Sequence, residues 1–400
     1  MPTLGLLSSD MIAAQARAAN EPEWMVTWRA EAWDFFAQAA PPKWRRTQLA
    51  ELQQETIAPL FKAQGTAIQW DKALESKGVV FSSLAAALHT HEDLIRPHIG
   101  TAVNPLAHKF SAMRAALWQD GVLLYVPRNV EVELPLRLSY TLADGSRAMF
   151  PYTIVILEQH ARLSLVEEYT SRGIPETALV APTTELFIGP GAEVRYLTLQ
   201  QQGQGVYQIG GQVMQLGRDA LGKWTSIALG GQLQHMELEA RMQGDGSRIN
   251  WVGATFGNQQ QNLVTVPWLR HIGTNTESHL EFKTVVTDKS YSVFDGMIKI
   301  EHESHSTVTR LEEHAIHLGS EARSDSIPGL MIDTNDVARA GHASTSGQVD
   351  EEQLFYMQAR GIRPDEAKRL IVMGFFEPAL AAVPLEALRE SLEAAIEAKI

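Results

Sequence analysis

The chain of 400 residues contains no cysteine. That excludes disulfides, zinc held by thiolates, a thiol nucleophile and any cluster held by the chain's own sulfur. Metal chemistry would fall to His, Asp and Glu. Basic charge is scarce: 34 Lys and Arg stand against 47 Asp and Glu, for a formal net charge of −13. Nucleic acid and anionic membrane surfaces both select for Lys and Arg, so neither is an expected partner. No apolar run approaches the roughly 20 residues that span a bilayer. The first 24 residues lack the basic start and continuous apolar stretch of a secretory signal, and a cytoplasmic location is expected. Catalytic signatures are missing too. There is no G-x-S-x-G elbow, no H-E-x-x-H pair, no G-x-G-x-x-G after a strand and no evident nucleophile–base set, so no enzymatic activity is expected.

What is present divides into three regions. Residues 1–117 read as helical. Trp24, Trp28, Ala32, Phe35 and Phe36 recur at helical spacing and predict one apolar face, which Pro41 and Pro42 end. Further helices are expected at 82–98 and 105–117. From 118 to 345 the chain becomes a succession of strand-like runs, among them VLLYV, YTIVILEQ, EVRYLTLQ and HLEFKTVVT, divided by turns such as GPGAE and GDGSR. Strand pairs return at roughly 25–31 residues without a sharp consensus, a period suited to stacked repeats. A solenoid and an all-β sandwich both fit, and so long a run of strand without helices favours the solenoid. Residues 346–400 return to helix. Asp350 suits an N-cap with Gln353 at the capping-box position, Gly361 a helix end, and Pro364 a first turn. Pro378 is expected to close that second helix and Pro384 to open a third, striped by Leu385, Leu388, Leu392 and Ile396.

Candidate sites are few. GRDALGKWT, from Gly217, has most of a phosphate loop, but Trp224 stands where Ser or Thr should hold magnesium, and strands surround it. An ordinary β-turn is the better reading. The segment 301–319 is rich in His and carboxylates that suit iron or zinc. His302 and His305, like His314 and His317, are three apart; on a strand each pair splits between faces, which favours a solvated or interface edge over a metal site. His342 follows Gly341, which permits a close or unusual backbone approach. A His near a strand end is ordinarily a hydrogen-bonded structural residue. Leu354, Phe355, Tyr356 and Met357 surround most of a short helix, which is either core or a docking surface.

Several stretches nevertheless resemble one family: FSAMRAALWQDGVLLYVPRNVEVELPL, SLVEEYTS, SVFDGMIKI and, most specifically, IDTNDVARAGHASTSGQVDEEQLFYMQARGI. The chain is similar, over about residues 20–380, to the SufB/SufD scaffold proteins of iron–sulfur cluster assembly. SufB-like members carry a key Cys where Ala322 stands here, and a Glu where Ala343 stands, so the likeness is to the SufD-like branch. The resemblance implies a mainly β fold, a right-handed parallel β-helix between N-terminal and C-terminal helical regions. It implies pairing with a SufB-like paralogue through the C-terminal part of the β-helix, and docking of SufC, an ABC ATPase, on the C-terminal helices. His342 would then meet the partner and supply an imidazole to a transient iron or iron–sulfur cluster, which one imidazole cannot hold alone. Gln353, Leu354, Phe355, Tyr356 and Arg360 would help form the ATPase-facing surface. No cofactor held stably by this chain is expected. Edge strands at an open β-helix end predict a homodimer for the isolated chain. The alternative is a carbohydrate-acting β-helix enzyme or binding protein, which would need paired carboxylates on one face. Glu167, Glu168 and Glu193 offer no evident pair.

Overall fold

The computed structural model describes residues 4–49, 52, 66–119, 121–143, 147–174 and 177–400. Residues 1–3, 50–51 and 53–65 of the expected N-terminal region lie outside the described residues. The helices are α1 (Ser9–Ala18), α2 (Glu23–Gln38), α3 (Leu84–Thr90), α4 (Glu92–Ile95), α5 (Lys109–Leu117), α6 (Glu351–Ala359), α7 (Pro364–Ala381) and α8 (Glu386–Glu397). Between α5 and α6 the chain winds as a parallel β-helix of about 8 turns, each turn giving strand to two facing sheets.

Register partners sit one coil apart. Glu193 lies beside Leu221, Leu221 beside Arg248, Arg248 beside Glu277, and Glu277 beside Val308. One corner carries the regularity that the sequence hides. Asn129, His160, Gly191, Asp219, Gly246, Asn275 and Ser306 all have φ between 54° and 68°. Each donates its backbone N–H to a carbonyl of the next coil, as His160 does to Pro190 and Asp219 to Asp245. Left-handed backbone tolerates Gly, Asn and Asp best. The repeat is therefore a conformation filled by several residue types, which explains the absent consensus. The Gly217 phosphate-loop look-alike is one such corner, with Trp224 buried in the strand that follows.

The interior is a stacked column of side chains. Trp224 and Trp251 lie parallel with ring centroids 4.1 Å apart, and Tyr140 stacks on Tyr169 at 5.6 Å. Where helices cover a sheet's outer face, strands are buried throughout, as in Tyr152–Leu157. Elsewhere they alternate, as in Leu136–Leu142. α1, α2 and α5 bury Trp33, Phe36, Phe110 and Met113 against one sheet. α7 and α8 bury Val372, Phe376, Leu392 and Ile396 against the other.

Four expectations require correction. The buried face of α2 is Met25, Val26, Arg29, Ala32, Trp33 and Phe36, while Trp24, Trp28 and Phe35 are half-buried. Arg29 belongs to that face because Glu21 and two carbonyls satisfy it. Asp350 does cap α6, accepting from the Glu352 N–H, but Gln353 completes no capping box. Pro378 lies inside α7 and does not close it. The helix continues because its last turn buries Ala379 and Leu380, which offsets the hydrogen bond that Pro378 cannot donate. His302 and His305 occupy the corner before the strand Thr307–His317, not a strand.

The two ends of the solenoid differ. Antiparallel strands Thr66–Gln69 and Val80–Ser83 cover the first coil. At the other end Val337–Gln348, Arg323–Ser326 and Gly329–Ile332 each pair on one side only among the described strands.

Candidate functional site

The uncovered end is where the sequence's candidate residues gather. The strand Val337–Gln348 pairs in parallel with Thr307–His317, and His342 is the register partner of Leu311. Side chains of partnered residues in parallel strands share a face. The column Trp224, Trp251, Leu280, Leu311 thus runs through the core and ends on His342. Leu311 is fully buried; His342 is exposed, because no further coil covers it. Its imidazole makes no side-chain hydrogen bond with any described residue. Gly341 corrects the expectation of a close approach: it lies in regular strand, and a Cβ there would meet nothing within 4 Å. Ala343 is exposed beside it, and Ala322 is buried just before the strand Arg323–Ser326.

The rest of the mouth is polar. Glu313, inward-facing and 1% exposed, is the register partner of Ser344, whose hydroxyl donates to its carboxylate at 3.4 Å. Burial pushes the Glu313 carboxyl up, against the pull of neighbouring hydroxyls. His317 Nε2 lies 2.7 Å from Ser324 Oγ and 3.3 Å from Ser346 Oγ. His314 turns the other way, with Nδ1 2.8 Å from Thr345 Oγ1. Among the described residues no group of three or more His, Cys, Asp or Glu is placed to hold a metal ion. Glu313 was missed in the sequence, although the alternation of Leu311, Glu313 and Ala315 could have found it.

Beside this end, α6 stands off the molecule and buries none of its residues. Phe355 and Tyr356 are 74% and 57% exposed, among the most exposed large apolar side chains described. Gln353 and Arg360 are also exposed, while Leu354 and Met357 are half-buried. The Arg360 guanidinium lies 4.4 Å over the Tyr356 ring. The structure thus brings His342 to the open end and Gln353, Phe355, Tyr356 and Arg360 to a neighbouring surface; Leu354 faces partly inward.

The three acids considered for sugar chemistry, Glu167, Glu168 and Glu193, form no exposed pair with one another. Glu167 is sealed in the core, hydrogen-bonded by Tyr196, Thr153 and Thr184. Glu168 is bound by Arg137, and Glu193 by Lys223 at 2.7 Å.

Comparison with known proteins adds a separate line. The family described as SUF system FeS cluster assembly, SufBD core domain, matches residues 140–375, and the SufBD protein N-terminal region matches residues 65–138. The chain is similar to the iron–sulfur cluster assembly protein SufD of Bacillus subtilis, with 31% identity over 82% of this chain and 75% of that one. It is 25% identical to an iron–sulfur cluster assembly SufBD family protein of Staphylococcus saprophyticus, over 95% of this chain and 90% of the relative. A Staphylococcus aureus member is 24% identical over the same shares.

Proposed function

The chain belongs to the SufBD family of iron–sulfur cluster assembly proteins, and on that premise we propose that it is a non-catalytic scaffold subunit working in the cytoplasm. It pairs through the open end of its β-helix with a SufB-like paralogue, and its C-terminal helices dock a SufC-like ABC ATPase. The cluster is cargo, formed between the subunits and passed on. One observation carries this reading: His342 ends the core column at an uncovered edge, its imidazole without a hydrogen-bond partner among the described residues. A second chain adding strands there would cover it and bring its own ligands to iron. Three exposed edge strands are a template for such pairing, or for self-pairing when the protein is alone. Leu330, Met331 and Ile332 add exposed apolar area to that edge.

The test is to mix the purified chain with its host's paralogue and ATPase, singly and together, and to measure mass by light scattering on a sizing column. A ternary complex is expected from the three together, and a binary complex with the paralogue in the absence of the ATPase. Failure of the paralogue to bind under any nucleotide condition would overturn the reading.

A further inference from the structure

One pocket takes none of its lining from the three bare edge strands. It lies between α5 and the outer face of one sheet, and its key residue is Arg114. Arg29 shows how this fold neutralises a buried guanidinium. Its Nε and Nη2 donate to Glu21 at 2.7 Å each, and its Nη1 to the carbonyls of Ala116 and Trp118 at 3.0 and 2.8 Å. Arg114 is 2% exposed and has no such set. Its Nε donates to Thr183 Oγ1 at 3.2 Å, and among the described residues its Nη1 has no hydrogen-bond partner and no acid forms an ion pair with it. A buried charge without a hydrogen-bonded counter-charge is costly. The sheet makes room for it: a Cβ on Gly211 would lie 2.8 Å from Arg114 Nη2.

The guanidinium lines a cavity of about 360 Å³, within the range of small-ligand sites. Val213, Val266 and Trp268 form its apolar wall, and Arg241 and Arg270 its basic rim. The acids present are engaged. Glu237 is held by His108 at 2.8 Å, Glu239 by Arg241 at 2.6 Å, and Glu301 by Arg270 at 2.6 Å. Arg241 Nε has no hydrogen-bond partner among the described residues. A guanidinium fork matches an oxyanion in shape and charge. Glu237 and Glu239 oppose a second negative charge in the same space. We propose that this pocket binds a small organic monocarboxylate, its charged end between Arg114 and Arg241 and its apolar body against Val266 and Trp268.

The test titrates the full-length chain with benzoate, phenyl phosphate and neutral benzamide, read by calorimetry and by ligand-observed NMR. Benzoate binds, phenyl phosphate binds more weakly, and benzamide does not compete. Arg241→Gln, on the rim, weakens benzoate about tenfold or more, the loss expected of one charged hydrogen bond. Arg114→Lys, which keeps the charge but not the fork, does the same. Should Arg114→Lys fail to fold, Arg241→Gln and Trp268→Ala decide the matter. No benzoate binding in the millimolar range, equal binding of benzamide, tighter binding of phenyl phosphate, or indifference to Arg241→Gln would each overturn the proposal. None of these outcomes depends on complex formation, so they stand apart from the scaffold reading.

Discussion

Leu311 and His342 are register partners on the last two strands of one sheet, the first wholly buried and the second exposed. The pair marks the point where a core column becomes a surface. A β-helix has no intrinsic reason to stop, since each coil offers the next the same unpaired edge. This one covers its first coil with antiparallel strands and leaves its last coil bare. The bare end is where the chain places an imidazole, a buried carboxyl and four serines, Ser324, Ser326, Ser344 and Ser346.

Gly253 is a packing test of the column. Its register partner Phe282 lays its ring where a Cβ would sit, 2.0 Å away. Gly253→Ala is expected to destabilise by about 1–3 kcal/mol, the usual cost of overfilling a core. Urea denaturation measures it; a stability equal to the unaltered chain would show that the ring moves freely.

Two buried histidines set an acid limit. Burial pulls His235 down to about 4 and His271 to about 3, from an ordinary 6.5. His271 sits between Thr276 and Ser278 hydroxyls at 2.8 and 2.9 Å. Between those values and 6.5 the unfolded chain binds more protons than the folded one. The two histidines' contribution to stability is therefore full above pH 6.5 and falls as pH drops through the window. Denaturation midpoints at pH 7 and pH 5 should separate, and His271→Gln should shrink the separation. An unchanged separation in that variant would contradict the assignment.

The exposed pair on α6 separates docking from stability. Phe355→Ala with Tyr356→Ala is expected to shift stability by no more than about 0.5 kcal/mol, since neither side chain is buried. The same variant should weaken the ATPase partner about tenfold or more, as loss of aromatic anchors does. Calorimetric titration decides it, and undiminished affinity would move the docking surface elsewhere.

Much of the architecture was legible because strand and helix composition are local. β-Branched runs divided by turns gave the strands, and the Leu388, Leu392, Ile396 stripe gave α8. The coil repeat was faint because it resides in a backbone angle that Asn129, His160, Gly191 and Asp219 share without sharing chemistry. Pro378 misled because burial of the following turn outweighed one lost hydrogen bond. Glu167 and Arg114 could not be placed at all, since their burial depends on strands and helices many residues away. His342 was found by resemblance; its position at the end of a stack needed the register.

The central measurement is cluster formation by the reconstituted complex carrying His342→Ala. The complex is assembled anaerobically with ferrous iron and a sulfide source, and the cluster is followed by visible absorbance. Because His342 is exposed and its imidazole makes no hydrogen bond among the described residues, the variant should fold and assemble with unaltered mass and stability, yet form no cluster. Cluster formation at the unaltered yield would contradict a role for His342 and leave the open end as a surface for pairing alone.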